Sequence, residues 1–414
     1  MKKKLIALMI FSIVFAGLIG MASAAQNCTN TNQKGSLLVF PKVDVRMIPI
    51  GDTFIQRDTL IRISNDYPAA VQMSCIWVNS ELDHTGFSFT LPANASIFFS
   101  AATGRASRRI FNEVATFPIP FQINPYTGEF FPATGELKCW AVNADTGVQI
   151  SFNHLNGVAE IVDSEEGALI YGYQAWSFTA RCNRGAIVGN PGTLILSGNN
   201  GAYDACPAYL TTEYQPFIDM DDDFSPGSEI SLVPCWQDLT QDGLNRVVTK
   251  ALFEIFDQNG SKAGNAWKCV NTFFDDFLQN IQPGVDPWTG FMVGAFGGQN
   301  FAMRGVFTDV ENMRLRISAV KSTVCESPYY YNFWRDMPPA WTAPSGIPGL
   351  ASAYYFALGM GPTGSSKDTS FLGVIVKHNP DGGMFAHTPC MAGIDQTGRV
   401  MFDPGCVIFP ESVN

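Results

Sequence analysis

The chain contains ten cysteines, which are its most chemically reactive residues. A cysteine thiolate can bind a metal, exchange electrons or form a disulfide. Four of them lie within two positions of a tryptophan, namely Cys75, Cys139, Cys235 and Cys269. Zinc sites, c-type haem attachment and thioredoxin-like centres use close pairs such as C-x-x-C. The two closest cysteines here, Cys390 and Cys406, are 16 positions apart. The spacing therefore favours structural disulfides over a metal or redox centre.

The N-terminal segment supports the same choice because it indicates the compartment. Residues 1–24 combine a lysine cluster, an apolar run and the small residues Ala22, Ser23 and Ala24, which is the pattern of a secretory signal peptide. The apolar run is shorter than the ~20 residues that span a bilayer, so cleavage is favoured over an anchor. We predict an exported protein, periplasmic, cell-surface or extracellular, with no membrane span after signal cleavage and with oxidised cysteines.

Sequence alone leaves the connectivity of ten cysteines open. The pairs that we propose are Cys75 with Cys139, Cys235 with Cys269, Cys182 with Cys206 and Cys390 with Cys406, which leaves Cys28 for Cys325 as a remainder. In the chain-entropy model a bridge that closes a loop of tens of residues contributes ~3 to 4 kcal/mol to stability.

Net charge limits the partners. The formal charge of −11 at pH 7 becomes −14 once Lys2, Lys3 and Lys4 leave with the signal peptide. Nucleic acid and anionic membranes are poor partners for such a negative field. The mature chain is also longer than one hydrophobic core usually supports, so we predict two domains.

The elements that must position the cysteines have the periodicity of β-strands. Three hairpins are predicted in the first half: residues 59–65 with 71–79, residues 87–101, and residues 135–152 with a turn at Ala144 to Gly147. Later strands include a hairpin at Asn259-Gly260, and residues 271–281 are the best helix candidate because apolar residues recur every four positions.

These patterns predict a mostly-β fold of two tandem antiparallel β-sandwich domains of Ig-like build, held by disulfides. The first domain is expected over residues 34–163 and the second over residues 168–414, the latter with a loop-rich C-terminal extension.

Five stretches carry a resemblance to known proteins: "IRISNDYPAAVQM", "CWAVN", "FNHLNGVAEIV", "YDACPAYL" and "ISLVPCWQDL". With these stretches the chain resembles a group of uncharacterised exported bacterial proteins, over roughly residues 36 to 280. The resemblance implies tandem β-sandwich domains. It implies no functional residues.

Candidate sites are few. The motifs G-x-S-x-G, H-E-x-x-H and G-x-x-x-x-G-K-[ST] do not occur, so no catalytic residue is predicted. The acidic residues Asp219, Asp221, Asp222 and Asp223 offer oxygen ligands for Ca²⁺, the one cofactor candidate, although the sequence favours a solvated acidic loop. The aromatic residues Tyr330, Trp334 and Trp341 could stack on sugar rings, or they could fill a core.

Three classes of function follow from these observations. The sequence favours an exported, non-enzymatic structural or surface or matrix assembly protein, with protein partners or self-assembly. A carbohydrate- or ligand-binding module, with polysaccharide as the partner, is the alternative. A hydrolase with dispersed carboxylates comes third, because the spacing of paired carboxylates is spatial and is not visible in a sequence.

Overall fold

The computed structural model consists almost entirely of antiparallel β-strands, which confirms the mostly-β prediction. The structure describes most of residues 29–180 and, between residues 203 and 402, the strands and a few residues beside them. The signal-peptide prediction lies outside these residues. No helix in the described part of the chain is long and apolar enough to cross a membrane.

The first half of the chain contributes two large sheets. Its strands are β1 (Leu37–Asp44), β2 (Met47–Ile50), β3 (Thr53–Asn65), β4 (Val71–Asn79), β5 (His84–Leu91), β6 (Ala95–Ser100), β7 (Arg105–Arg109), β8 (Asn112–Thr116), β9 (Gln122–Ile123), β10 (Phe130–Phe131), β11 (Thr134–Val142), β12 (Leu155–Asp163), β13 (Leu169–Gln174) and β14 (Trp176–Phe178). Sheet I has the order β14-β1-β11-β4-β5, and sheet II has the order β13-β12-β3-β6-β7-β8 with β2 added to β3. Strands β9 and β10 form a separate hairpin.

The second half contributes two further sheets, of six and four strands. Its strands are β15 (Tyr209–Tyr214), β16 (Ile218–Met220), β17 (Asp223–Ser225), β18 (Ser228–Cys235), β19 (Thr249–Phe256), β20 (Lys262–Val270), β21 (Phe274–Phe277), β22 (Met313–Val320), β23 (Ser370–His378), β24 (Met384–His387), β25 (Cys390–Ile394) and β26 (Val400–Phe402). Sheet III has the order β20-β19-β22-β15-β25-β26, and sheet IV has the order β21-β18-β23-β24. Strands β16 and β17 pair only with each other among the described strands.

Sheets I and II pack face to face around a first hydrophobic core. Alternate residues of β4, among them Met73, Cys75 and Trp77, meet Ile61 and Ile63 of β3 in this core. The alternation follows from the two-residue period of a strand, which sends every second side chain to the same face. Burial of such apolar side chains is the main favourable term in folding.

The opposite face of sheet I is buried as well. Leu37, Val39 and Trp140 on that face belong to a second core, which also contains Leu232 of sheet IV and Phe253 of sheet III. Strand β23 contacts β1 on the one hand and β15 and β22 on the other. Sheet IV therefore connects the two halves, and β1 is buried along its whole length.

Two of the three predicted hairpins of the first half are wrong. Strands β3 and β4 lie in different sheets, since β3 pairs with β12 and β6 while β4 pairs with β11 and β5. Strands β5 and β6 are separated in the same way. Each connection crosses from one sheet to the other, and both strands then direct their apolar faces into one core. The apolar alternation is the same for a hairpin and for a crossover, so it could not distinguish them.

Turn residues predicted the remaining connections better. The turn at Ala144 to Gly147 is present, and Gly147 has a positive φ of 65°. Strands β19 and β20 form the predicted antiparallel hairpin, with Gly260 at a φ of 79°. Glycine is favoured at such positions because it has no Cβ.

The predicted helix over residues 271–281 is also wrong. Residues 274–277 form β21, which pairs with β18 from Leu232↔Phe274 to Glu229↔Phe277. This aromatic-rich stretch has only a weak intrinsic preference for helix or strand, so a tertiary contact can decide between them. As part of a strand, Asp275 contacts the buried ammonium group of Lys42 in the first half, and this contact outweighs the four-residue apolar spacing.

Strands β13 and β14 extend the first half past the predicted boundary at residue 168, because they pair with β12 and β1. The division into two domains and the Ig-like topology remain predictions.

Candidate functional site at the junction of the two halves

A β-bulge in β1 determines the direction in which the side chain of Lys42 points. Phe40 and Val43 are three positions apart, yet they pair with residues of β11 that are only two apart. Pro41 lies in this bulge, where a residue without an N–H is tolerated. The extra residue shifts the alternation, so that Phe40 and Val43 both enter the first core. Lys42, between them, is directed to the second half instead.

Lys42 places its ammonium group between two carboxylates of the second half. Its Nζ lies 2.9 Å from Oε1 of Glu229 on β18 and 2.7 Å from Oδ1 of Asp275 on β21. These side chains are 0%, 5% and 3% exposed, respectively. Ser231, which is in register with Asp275, donates a hydrogen bond to the same Oδ1. One cation from sheet I therefore holds two adjacent strands of sheet IV.

A second group of charged residues, Asp44, Arg46 and Arg57, lies beside Lys42. Arg46 donates from Nε and Nη2 to the two oxygens of Asp44, over 2.8 Å and 2.5 Å, which is the two-point geometry that makes such pairs strong. Arg57 approaches Asp44 at 3.3 Å. Arg46 also reaches Oε1 of Glu229 at 3.2 Å, so the two groups are joined.

We call these six residues the junction cluster: Lys42, Asp44, Arg46, Arg57, Glu229 and Asp275. Three cations face three carboxylates in it, so the formal charges balance. Balance matters because an unpaired charge in a buried site costs several kcal/mol.

The pKa values in the cluster follow from burial and from these neighbours. Burial alone would lower the pKa of Lys42, but the charges of Asp275 and Glu229 outweigh it and raise that pKa well above its ordinary value. Burial would raise the pKa of Asp44, but the charge and hydrogen bond of Arg46 lower it. For Asp275 burial prevails, with Glu229 adding repulsion, and its pKa rises to about 6.

Two tyrosines of β13 complete the surroundings of Lys42. The hydroxyl of Tyr173 accepts a hydrogen bond from the backbone N–H of Lys42 and donates one to its carbonyl oxygen. The hydroxyl of Tyr171 is buried and has no hydrogen-bond partner among the described residues. Burial raises the pKa of both phenols, so both stay neutral at physiological pH.

A separate ion pair lies on β11, on the face of sheet I that also carries Trp140. Lys138 donates to Oε1 of Glu136 over 2.8 Å, and both side chains are fully buried. Oε2 of Glu136 has no hydrogen-bond partner in the part of the chain that the structure describes. Burial raises the pKa of Glu136, although Lys138 opposes the shift.

Burial also limits what the junction cluster can do chemically. A shifted pKa such as that of Asp275 is typical of functional sites, but a general acid or base must come within hydrogen-bond distance of its substrate. The side chains of Lys42, Glu229 and Asp275 are too deeply buried for such contact. The arrangement instead suits a lock between the halves.

In the part of the chain that the structure describes, each half contains one disulfide. Cys75 and Cys139 are direct partners in the register of β4 and β11, which confirms the predicted pair, and the bridge lies within one sheet. Trp77, two positions from Cys75, is fully buried in the same core.

The second disulfide corrects the other predicted pairs. Cys206 is joined to Cys235, so the predicted pairs Cys182 with Cys206 and Cys235 with Cys269 are wrong. Cys235 ends β18 in sheet IV, whereas Cys269 lies on β20 at the edge of sheet III. Cys206 is close to Cys235, with 6.0 Å between the Cα atoms.

Most other predicted sites lie outside the described residues. This applies to Cys28, Cys182, Cys325, Cys406, Asp221, Asp222, Tyr330, Trp334 and Trp341. Asp219 and Asp223 are on the backbones of β16 and β17, and Cys390 begins β25. No group of three or more metal-binding side chains occurs among the described residues. The Ca²⁺ site and the aromatic binding segment remain predictions.

An exposed cluster lies at one end of the first sandwich, and we call it the loop-end cluster. Its members are Lys34, Asp66, Tyr67, Phe152 and His154. Tyr67 is 41% exposed, and the centroid of its ring lies 4.5 Å from that of His154. Asp66 is paired with Lys34, and its Oδ1 is 3.1 Å from Nδ1 of His154. The hydrogen bond from Lys34 lowers the pKa of Asp66. Loop ends of sandwiches are common binding sites.

The sequence contained a signal for the junction cluster that was missed. Residues 37–46 read "LLVFPKVDVR", in which a proline and charged residues interrupt an apolar strand. A proline inside a central strand indicates a bulge, and Lys42 beside it then needs a buried counter-charge. Nothing in the sequence identified Glu229 and Asp275 as that counter-charge, because their proximity to Lys42 arises only in the folded chain.

The disulfides indicate that the chain is exported, since such bonds persist in oxidising compartments. No protein family matches the sequence, and no curated protein matches it. Among solved structures, the chain is similar to a protein from Parabacteroides distasonis that is proposed to be secreted, with a TM-score of 0.16 and 10% identity over 72% of this chain and 85% of that one. A likeness at this TM-score carries no argument about fold or activity.

Proposed function

We propose that the protein is an exported, non-enzymatic structural component of a cell-surface, extracellular or periplasmic assembly. The observation that carries the proposal is the junction cluster. Charged residues that could serve catalysis are instead enclosed between the halves, where Lys42 binds Glu229 and Asp275. Such a lock suits a protein whose role is mechanical.

Further support comes from how the sheets are joined. The second core includes residues of sheets I, III and IV, and the disulfide between Cys75 and Cys139 ties neighbouring central strands of sheet I. A bridge of this sequence separation, 64 residues, contributes about 4 kcal/mol in the chain-entropy model. A building block of an assembly benefits from this rigidity, because less conformational entropy is lost when copies associate.

Light scattering coupled to size-exclusion chromatography tests the proposal. The mature chain, with its disulfides intact, is measured over a hundredfold range of concentration. We expect the mean mass to rise with concentration beyond that of a single chain. A single-chain mass throughout would contradict an assembly formed from copies of this protein.

A carbohydrate-binding module is the second candidate, and the loop-end cluster favours it. An exposed tyrosine beside a carboxylate, an ammonium group and an imidazole offers a face for a sugar ring and polar groups for its hydroxyls. Affinity electrophoresis through gels that contain cellulose or chitin derivatives, xylan or dextran would detect such binding. Retention of the wild type that Tyr67→Ala abolishes would assign it to this cluster. Retention lost only in Trp334→Ala would assign it to the predicted aromatic segment.

A further inference from the structure

Strand β5 is the outer strand of sheet I. It pairs with β4 along its whole length, from Val71↔Leu91 to Val78↔His84. No strand among the described residues pairs with its other side. Its outward backbone N–H and C=O groups are therefore placed to hydrogen-bond another strand.

The other outer strands of the described sheets carry features that oppose strand addition. Five of them are short, with five residues or fewer: β2, β8, β21, β24 and β26. Strand β20 is long but contains Lys262 and Lys268. The outer strand β13 is contacted by β24, and Thr29 and Gln33 donate hydrogen bonds to Ser177 in β14. Short length, lysines and covering segments are the usual protections of a sheet edge.

Among the described residues, strand β5 has none of these protections. Its eight residues, "HTGFSFTL", include no lysine, arginine, acidic residue or proline. Exposed and buried residues alternate from Gly86 to Leu91. Phe87 and Phe89 are each 9% exposed, more than the other apolar residues of the first core, as expected at an open edge.

We propose that β5 pairs antiparallel with β5 of a second copy of this chain, an inference that rests on the proposed function and names its contact surface. A two-fold axis at Ser88 pairs Ser88 with its own copy and Phe87 with Phe89 of the other chain. The phenylalanines then meet on one face, where Leu91 lies opposite Thr85, and Gly86 meets Thr90 on the other. Cross-strand aromatic pairs stabilise such an interface, and no like charges oppose each other within the strand. A strand that is complementary to itself in this way favours a second copy as its partner.

Ser88→Lys tests the pairing because it places two ammonium groups opposite each other at the axis. Sedimentation equilibrium should show that this variant has a dimer dissociation constant raised by about tenfold or more. The matched control is Ala144→Lys, which adds the same charge in an exposed turn away from the edge. We expect that control to dimerise like the wild type.

Cysteine cross-linking tests the register and does not depend on the stability of Ser88→Lys. In Ser88→Cys the two introduced thiols lie opposite each other, so oxidation should link two chains on a non-reducing gel. In Thr90→Cys the thiols are four strand positions apart, roughly 13 Å, and should not link.

The outcomes separate the two proposals. Wild-type assembly that Ser88→Lys leaves unchanged, or equal cross-linking of the two cysteine variants, would overturn the β5 interface while the assembly function stands. A wild type that stays a single chain at all concentrations would overturn both. A complex with a different protein through β5, without self-association, would likewise overturn the second-copy proposal.

Discussion

The junction cluster and the loop-end cluster each contain a lysine paired with an aspartate, but in opposite surroundings. In the junction cluster, Lys42 and its two carboxylate partners are at most 5% exposed. In the loop-end cluster, the side chains of Lys34 and Asp66 are 53% and 43% exposed. Water already stabilises the exposed charges, so their pairing adds little. The buried charges have lost that water and depend on each other.

The comparison shows that ion pairs cannot be ranked by geometry alone. Lys34 contacts Asp66 closely, and Lys42 contacts Asp275 at 2.7 Å. Removal of one partner leaves a solvated charge in the first case and a buried, uncompensated charge in the second. The expected difference in the free energy of unfolding is several kcal/mol.

The largest effect is expected for Lys42→Met. The substitution keeps a long apolar side chain but leaves Glu229 and Asp275 beside each other without a cation. We expect a loss of about 3 to 5 kcal/mol in the free energy of unfolding, measured by urea denaturation with the disulfides intact. Lys34→Met is the matched control and should change it by less than about 0.5 kcal/mol.

A smaller loss is expected for Lys138→Met. This change leaves the buried carboxyl group of Glu136 without its ammonium partner, and burial already raises the pKa of that group. Glu136 can therefore take up a proton and become neutral. We expect Lys138→Met to lower the free energy of unfolding by about 2 kcal/mol at pH 7 and by less at pH 5. If Lys138→Met and Lys42→Met lowered the free energy of unfolding equally at both pH values, the expected difference between the two ion pairs would be contradicted.

The pH dependence of stability should show the titration of Asp275. Its pKa of about 6 in the folded chain lies above the ordinary 3.8. The folded state thus holds the proton more tightly than the unfolded state does. The resulting contribution to the free energy of unfolding is complete below about pH 4 and is lost as the pH rises through 6. In the wild type this loss should lower the free energy of unfolding by on the order of 2 kcal/mol between pH 4 and pH 7, and Asp275→Asn should remove that decline. The lowered pKa of Asp44 has the opposite sign and matters only at lower pH.

The smallest effect is expected for Asp66→Asn in the loop-end cluster. The substitution removes the partner of Lys34 and His154, yet both remain in contact with water. The midpoint of urea denaturation should shift by the equivalent of less than about 0.5 kcal/mol at 0.15 M salt. A loss comparable to that of Lys138→Met would remove the distinction between the two clusters.

The same contrast explains what the sequence could reveal. Local chemistry predicted the strands, the turns at Gly147 and Gly260 and the disulfide between Cys75 and Cys139. It failed for residues 274–277, where a distant cation favours a strand. It also failed for Cys235, whose partner depends on which sheet β18 joins. Periodicity reports which face of a strand is buried, but not the strand beside it.

The candidate site was less predictable than the fold. Lys42 lies 187 positions from Glu229 and 233 positions from Asp275. The local sequence offers only Pro41, which indicates a bulge beside Lys42 but does not identify the partners of that lysine.

A double-mutant cycle on Lys42 and Asp275 tests most directly whether the junction cluster is a coupled lock. The free energy of unfolding is measured for Lys42→Met, Asp275→Asn and the double variant, beside a control cycle with Lys34→Met and Asp66→Asn. We predict a coupling energy of about 2 kcal/mol or more at the junction and less than about 0.5 kcal/mol in the control. Additive effects at the junction would contradict the account, because they would mean that the two halves are not held together through this cluster.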